Sequence, residues 1–229
     1  MKNPFKDLTR FELILWALSF ITVTVSFLLV PEKDYLMLIA SLIGVTALIF
    51  VAKGLVLGQV LTIVFAVFYG MISFWFKYYG EMITYLAMTA PIAIFATVSW
   101  IRHPYKKTKV VEVSEITPKK TVLLIISTIA VTAAFYFILG ALNTANLIVS
   151  TISITTSFLA SSLTFLRSPY YALAYAANDI VLIVLWAMAS AADISYLPMI
   201  ICFTMFLVND IYGLINWLRM RKNQSNHNI

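Results

Sequence analysis

The sequence has little of what builds metal, redox or hydrolytic sites. Of its 229 residues, 11% are charged, one is Cys and two are His. Cys202 stands alone in an apolar stretch, which excludes a disulfide framework and a cysteine-based metal site. His103 and His227 fall in a loop and in the tail, so neither is placed as a buried ligand or base. No His, Cys or carboxylate cluster has the spacing of a metal site or a catalytic triad, so we expect no enzyme activity, no metal and no cofactor.

Long hydrophobic runs dominate the chain instead. Hydrophobic residues make up 62% of it, and the runs are continuous rather than alternating. Such runs predict membrane-spanning helices, whereas barrel strands alternate in hydropathy. The first run, after Arg10, has no small-residue cleavage site, so we interpret it as a permanent span rather than a signal peptide. The predicted fold class is therefore an all-α polytopic membrane protein, and the net charge of +6 indicates topology rather than nucleic-acid binding.

Eight spans fit the pattern of hydrophobic runs and polar breaks. Residues 121–166 contain no charge, and at about 1.5 Å per residue they would form a helix about twice as long as the bilayer is thick. A break at 140–146, where Asn143 and Asn146 are the strongly polar residues, divides this stretch into two spans. The predicted spans are residues 11–30, 35–52, 55–76, 82–101, 121–142, 147–166, 170–191 and 194–217.

The distribution of Lys and Arg orients the chain. Fourteen of the 16 lie at the end of the bundle that would carry both termini, and Lys33 and Lys77 lie at the other end. Cationic residues concentrate on the cytoplasmic side of membrane proteins. We therefore predict a protein of the plasma membrane with both termini and the basic loop at 102–120 in the cytoplasm. The polar tail after the last span is expected to be disordered.

Short sequence matches indicate an internal repeat. The fourth span ends with SWIR at 99–102 and the eighth with NWLR at 216–219, and LIAS at 38–41 corresponds to LIVS at 147–150. Because four spans separate equivalent helices, the two copies run parallel, as in transporters whose repeats are related by an axis along the membrane normal. This predicts a 3+1+3 arrangement after one extra helix. The predicted domains are the extra N-terminal helix (1–34), a first three-helix repeat (35–101), a basic loop with a linker helix (102–146), a second repeat (147–218) and a polar tail (219–229).

Two Asn-Asp pairs lie inside apolar spans, at 178–179 in the seventh and at 209–210 in the eighth. An Asp at membrane depth costs about 3 kcal/mol, so each pair needs a compensating interaction. For Asp179, near the centre of its span, a ligand site is favoured over a structural hydrogen bond. Asp210 lies two turns from the cytoplasmic end, where an ion pair with Arg167 or Arg219 is favoured.

Aromatic and amide side chains complete the candidate site. Tyr and Trp faces attract cations, and a nearby carboxylate reinforces that attraction. Trp186 fits either an interfacial belt or a site, whereas Trp100 and Trp217 are interpreted as belt residues at the cytoplasmic interface. The hydroxyl stripe of the sixth span is interpreted as helix packing. The residues predicted to bind substrate are Asn178, Asp179, Asn209, Tyr175, Trp186, Gln59, Tyr69 and Tyr212.

Several segments match one family of transporters. They are YG at 69–70, YGEM at 79–82, Pro91 nine residues before Trp100, Asn178 in the middle of the seventh span, and Asn209 before the closing Trp217. On these residues the chain resembles, over nearly its whole length, the PnuC family of nicotinamide riboside transporters, which is similar in fold to SWEET sugar transporters. The resemblance implies facilitated diffusion, with a cytoplasmic kinase that phosphorylates and so traps the substrate. Ala93 and Ala96 depart from the family pattern of Gln and Gly, so the set of ligand-facing residues can differ.

Other functions stay open at this point. Thiamine and other nucleosides are alternative substrates, because thiamine, like nicotinamide riboside, combines a cationic aromatic ring with a hydroxyl. Proton-coupled symport is a second alternative, with Asp179 or Asp210 as the carrier group. The span count and the repeat disfavour the substrate-binding subunit of an energy-coupling vitamin transporter. The expected partners are a small-molecule substrate and the lipid bilayer, not nucleic acid, and a homo-oligomer is left open.

Overall fold

In a computed structural model, which describes residues 3–75 and 79–226, the chain forms eight long apolar helices. They are α1 Arg10–Leu29, α2 Tyr35–Ala52, α3 Val56–Trp75, α4 Tyr79–Arg102, α5 Pro118–Ala141, α6 Leu147–Phe165, α7 Tyr171–Ser190 and α8 Leu197–Asn226. The eight predicted spans are confirmed, including the break at 140–146 between α5 and α6. Lys2, Phe76, Lys77 and His227, which the sequence analysis used, lie outside the described residues.

Side chains cap the helices that begin at polar turns. The Thr9 hydroxyl accepts from the amide of Glu12, and the Glu12 carboxylate accepts from the amide of Thr9, which is a capping box at the start of α1. Asp34 accepts from the amide of Met37 at the start of α2. Thr117 caps α5 ahead of a proline at the first helical position. These caps satisfy amides that have no partner within the helix.

Helix α4 changes its hydrogen-bond pattern in the middle. It is α-helical over Tyr79–Ile83, π-helical over Thr84–Thr89 and α-helical again over Ala90–Arg102. The amide of Ala90 donates to the carbonyl of Tyr85, five residues back. Pro91 follows directly, and because it has no N–H and its ring displaces the carbonyl four residues earlier, it accounts for the break in the α-helical ladder.

Six of the helices form a closed ring. Following the ring, α2 packs on α3, α3 on α4, α4 on α6, α6 on α7, α7 on α8, and α8 returns to α2. Helix α1 packs outside the ring against α2 and α8, and α5 packs outside against α6. In α5 the buried residues are Leu124 and Leu139, so most of this helix faces the lipid. The predicted 3+1+3 repeat stays a prediction, although the ring places the two predicted triplets side by side.

Helices α2 and α6 end in the same way. In each, a residue with left-handed backbone follows the helix, Gly54 at φ 74° and Arg167 at φ 58°. The next amide then returns to a carbonyl five residues earlier, which defines a Schellman motif. These bonds run from Leu55 N to Phe50 O at 2.9 Å and from Ser168 N to Leu163 O at 3.0 Å. Both ends lie where the chain termini lie, which we call the terminal end of the bundle.

Helix α8 continues beyond its predicted end. It runs to Asn226, so the expected disorder of the tail is wrong for residues 219–226. The buried Gln224 explains the difference, because its side chain accepts from the amide of Val113 at 2.8 Å and donates to the carbonyl of Val111 at 3.1 Å. The basic loop between α4 and α5 and the end of α8 therefore hold each other at the terminal end.

Candidate functional site

A cavity of about 430 Å³ lies inside the ring. It extends from Asn178, in the middle of α7, to residues 142–146 of the loop between α5 and α6. That loop is at the end away from the termini, so the cavity opens toward the end that we call the opposite end. Its polar lining consists of Glu81, Thr84, Asn143, Thr144, Asn146, Ser150, Ser153, Ser157 and Asn178.

Aromatic rings form two walls of this cavity. On one side the rings of Tyr69 and Tyr85 pack at a centroid distance of 4.5 Å. On the other side Trp186 and Tyr196 pack at 5.5 Å, and the buried indole N–H of Trp186 has no hydrogen-bond partner within the described chain. Trp186 thus lines the cavity. Rings on two sides present π faces to a flat or cationic ligand.

The carboxylate that lines the cavity is Glu81, which the sequence patterns did not single out. The Tyr69 hydroxyl donates to its Oε2 at 3.1 Å. The predicted fourth span starts at residue 82 and leaves Glu81 outside it, but α4 begins at Tyr79 and carries Glu81 in its first turn. A signal was available, because the YGEM segment at 79–82 is one of the matches on which the family resemblance rests.

Asn178 lies at the inner end of the cavity, where α7 meets α6. Its side-chain carbonyl accepts from the hydroxyls of Ser153 at 3.3 Å and Thr156 at 2.8 Å. These two bonds occupy both lone pairs of the oxygen, so its amide N–H₂ is the group that remains for a ligand. Tyr69 and Trp186 are the other predicted site residues that line this cavity.

Asp179 and Asp210 lie outside the cavity lining and face each other between α7 and α8. Both are about 3% exposed, and the two carboxyl groups are close enough to interact electrostatically. Arg167 instead contacts Glu112, at 3.9 Å from the guanidinium to the carboxylate. The predicted ion pair between Asp210 and a terminal-end arginine is therefore wrong, since within the described residues the partner of Asp210 is a second carboxyl group.

Two more predicted site residues border a second, much smaller space. Gln59 and Tyr175 line a cavity of about 10 Å³ between α3, α4, α6 and α7, on the terminal side of the main cavity. The hydroxyls of Tyr175 and Ser161 lie 3.0 Å apart and join α7 to α6. The two spaces are thus separate in this structure.

Asn209 and Tyr212 face helix α1 rather than either cavity. The Asn209 amide donates to the Ser19 hydroxyl at 2.9 Å. The Tyr212 hydroxyl donates to the Glu12 carboxylate at 2.7 Å, and that carboxylate also pairs with the ammonium of Lys53 at 3.0 Å. Both predicted site residues therefore hold α1 against the ring.

Trp100 and Trp217 close the terminal end. They are 1% and 0% exposed, and their rings pack at a centroid distance of 5.3 Å. The indole of Trp100 donates to the carbonyl of Thr164, and that of Trp217 to the carbonyl of Val51, each at 3.0 Å. Interpreting them as interfacial belt residues was wrong, because both are buried between helices.

The residues that precede these tryptophans make matching bonds. The Ser99 hydroxyl donates to the carbonyl of Phe165 at 3.1 Å, and the Asn216 amide donates to the carbonyl of Ala52 at 2.8 Å. The accepting carbonyls belong to the last turns of α6 and α2, where helices have carbonyls without a full set of partners. Each tryptophan-bearing helix thus caps the helix end of the other predicted triplet.

A ring of membrane-spanning helices around a polar cavity that is open at one end is typical of membrane transporters. Within residues 3–75 and 79–226, no three His, Cys, Asp or Glu residues come together as a metal site. The chain belongs to the family described as "Nicotinamide mononucleotide transporter", whose model matches residues 34–219.

Two relatives support this assignment. The chain is 25% identical over 229 residues to a protein of Neisseria mucosa named "Nicotinamide riboside transporter PnuC", covering 98% of this chain and 87% of the relative. Its fold is similar to that in the "Crystal structure of the Vitamin B3 transporter PnuC", with a TM-score of 0.79, 24% identity, and coverage of 95% of this chain and 94% of that one. The resemblance noted in the sequence is confirmed.

Proposed function

We propose that the chain carries nicotinamide riboside across the plasma membrane by facilitated diffusion, and that a cytoplasmic kinase traps the substrate by phosphorylation. The observation that supports the substrate is the cavity between the two aromatic walls, with the amide of Asn178 at its inner end. Nicotinamide riboside combines a flat cationic ring with a carboxamide and ribose hydroxyls. Aromatic faces and a few placed amide and hydroxyl groups suit such a ligand.

The cavity favours the riboside over the mononucleotide that the family description names. A phosphate group is normally bound by Arg, Lys or a cluster of backbone amides. Among the described lining residues there is no Lys, Arg or His, and the ionisable acid is Glu81. A phosphate placed here would lose its water without gaining a cationic partner. The name of the relative from Neisseria mucosa also specifies the riboside.

Facilitated diffusion predicts a simple result in reconstituted protein. Purified protein in liposomes should equilibrate radiolabelled nicotinamide riboside without ATP or an ion gradient, and should show counterflow when the lumen is preloaded with unlabelled substrate. Nicotinamide mononucleotide and thiamine are the competitors to test. Equilibration of the mononucleotide at the same rate as the riboside would contradict the proposed substrate.

Proton-coupled symport is the second candidate, and the Asp179–Asp210 pair is the observation that favours it. Two buried carboxyl groups that lie next to each other inside the membrane could bind and release a proton during transport. The same liposomes distinguish the two mechanisms. Accumulation of riboside above equilibrium under an imposed proton gradient would support symport and contradict uncoupled transport.

A further inference from the structure

Glu81 is held in the wall of the cavity by its neighbours. The Tyr69 hydroxyl donates to it at 3.1 Å, and the ring of Tyr69 packs on that of Tyr85. The preceding Gly80 lies tight against α5, since a Cβ atom there would be 2.9 Å from Leu139 and 3.1 Å from Thr144. The first turn of α4 thus packs closely, and the carboxylate stands beside aromatic faces within the cavity.

We propose that Glu81 is the counter-ion that makes this cavity select a positively charged aromatic ring over a neutral ring of the same shape. The inference rests on the proposed function and deepens it. Nicotinamide riboside carries its charge in the pyridinium ring, not in the ribose. A ring seated against the Tyr69 wall would bring that charge near the carboxylate, and Asn178 at the inner end would remain for the ribose or the carboxamide.

Two features of the cavity strengthen the attraction. Opposite charges interact much more strongly in a partly dry site than in water, because the effective dielectric constant is lower. The aromatic faces beside Glu81 attract the same cation through their quadrupoles. Within the described lining there is no Lys, Arg or His that would neutralise the carboxylate. We expect a preference for the cation of at least about tenfold in affinity.

A purely structural role makes a different prediction. If Glu81 served only to fix Tyr69, the amide of Glu81→Gln would do the same, because its carbonyl accepts the Tyr69 hydrogen bond and its size is nearly equal. The substitution removes the charge and keeps the shape. Its effect on charged and neutral ligands therefore separates the two roles.

The test is calorimetric titration of the purified full chain with nicotinamide riboside and with its reduced dihydropyridine form, which is neutral. The wild type should bind the cation at least about tenfold more tightly, and Glu81→Gln should lose this preference by weakening the cation alone. The matched control is Glu32→Gln, an equal change of charge at an exposed residue of the opposite end, and it should keep the preference. A thermal melt of each protein verifies folding.

Two outcomes would overturn the proposal. One is a Glu81→Gln protein that loses affinity for both ligands equally or for neither. The other is a wild type without preference for the cation, which decides the matter even if the variant fails to fold. Should the wild type bind neither nicotinamide form, the proposed substrate is wrong, and thiamine with its neutral deaza analogue takes their place. If the wild type also binds thiamine no more tightly than its neutral analogue, the proposed role of Glu81 is rejected.

Discussion

At the terminal end, Trp100 and Trp217 donate hydrogen bonds across the ring, whereas at the opposite end the same two helices border an open cavity. The terminal end is also tied by Gln224 to the basic loop and by Glu12 to Lys53. At the opposite end, the described residues that line the cavity include aromatic rings, hydroxyls, amides and the carboxylate of Glu81 beside aliphatic side chains. One end is therefore fastened by bonds between helices, and the other leaves its polar groups for a ligand.

This difference indicates what must change during transport. Many transporters expose their site alternately to each side of the membrane by moving one helix bundle against the other. To open the terminal end, the protein must break the bonds of the two tryptophans and their preceding residues. Because these bonds come in two matched sets, a motion that separates the two predicted triplets would break both sets together.

Accessibility of the two ends should differ completely, which is the largest effect that we expect. In a background with Cys202→Ser, single cysteines at Thr117 and Ser225 mark the terminal end and one at Ala145 marks the opposite end. A membrane-impermeant maleimide added to intact cells should label Ala145→Cys and leave the other two unlabelled, because cationic loops stay in the cytoplasm. Labelling of Thr117→Cys or Ser225→Cys from outside would contradict the predicted orientation or the number of spans.

Asn178→Ala should lower riboside affinity strongly while the terminal end stays intact. Losing its amide leaves a ligand group buried and unpaired at about 1–3 kcal/mol, which is about 5- to 150-fold in affinity. The matched control is Thr156→Val, which removes a bond to Asn178 without lining the cavity. It should cost only about 0.6 kcal/mol of stability, the average for hydrogen bonds between membrane helices. Calorimetry measures the affinity and a thermal melt the stability of each variant on the same preparation. Equal losses of affinity in both variants would show that Asn178 is a packing residue.

Gly54→Ala should destabilise the end of α2 by about 1–2 kcal/mol. Its φ of 74° is left-handed, which costs a residue with a Cβ about that much, and the added atom would lie 2.8 Å from Met220. Arg167 has the equivalent position after α6. Arg167→Gly should therefore relieve the backbone strain there, but it also removes the contact with Glu112. Thermal melts of both variants compare the two ends directly. A Gly54→Ala protein more stable than the wild type would contradict the equivalence of the two helix ends.

Trp100→Phe and Trp217→Phe should each cost about 0.5–1.5 kcal/mol, the usual net value of one hydrogen bond. The accepting carbonyls keep a backbone partner, from Arg167 and from Gly54, which limits the loss. Because the two rings touch, the double variant should depart from the sum of the single ones. Trp75→Phe, at an exposed site of the opposite end, is the control and should leave the melting temperature unchanged. Strict additivity would show that the two tryptophans act separately.

The fold could be predicted because hydrophobic runs, and the polar or charged residues that separate them, are local features of the sequence. The break between α5 and α6 follows from the length of an uncharged stretch, and it needs no knowledge of neighbours. The tail from Arg219 was not predictable in the same way, because its helix depends on bonds from Gln224 to a loop that is distant in sequence.

The candidate site was harder to predict, because a residue lines the cavity only if its side of the helix faces the cavity. Asp179 follows Asn178 directly, yet Asn178 lines the cavity while Asp179 turns toward Asp210. The periodicity of one helix does not show which of its sides packs against another helix and which faces the cavity. Glu81 escaped notice for a different reason: it lies at the start of a span, where a charge is common, and only the packing of the first turn of α4 brings it inside.

The π-helical segment of α4 sets the rotational phase of one half of that helix against the other. In an α-helix each residue advances the direction of its side chain by about 100°. Glu81 lies before Thr84–Thr89 and Trp100 after it, so the segment fixes the angle between the cavity-facing carboxylate and the ring that closes the terminal end. If the same six residues were α-helical, Glu81 would be turned by about 100° relative to Trp100 and would leave the cavity wall. The polarity of the cavity thus depends on the phase of a helix as well as on its composition.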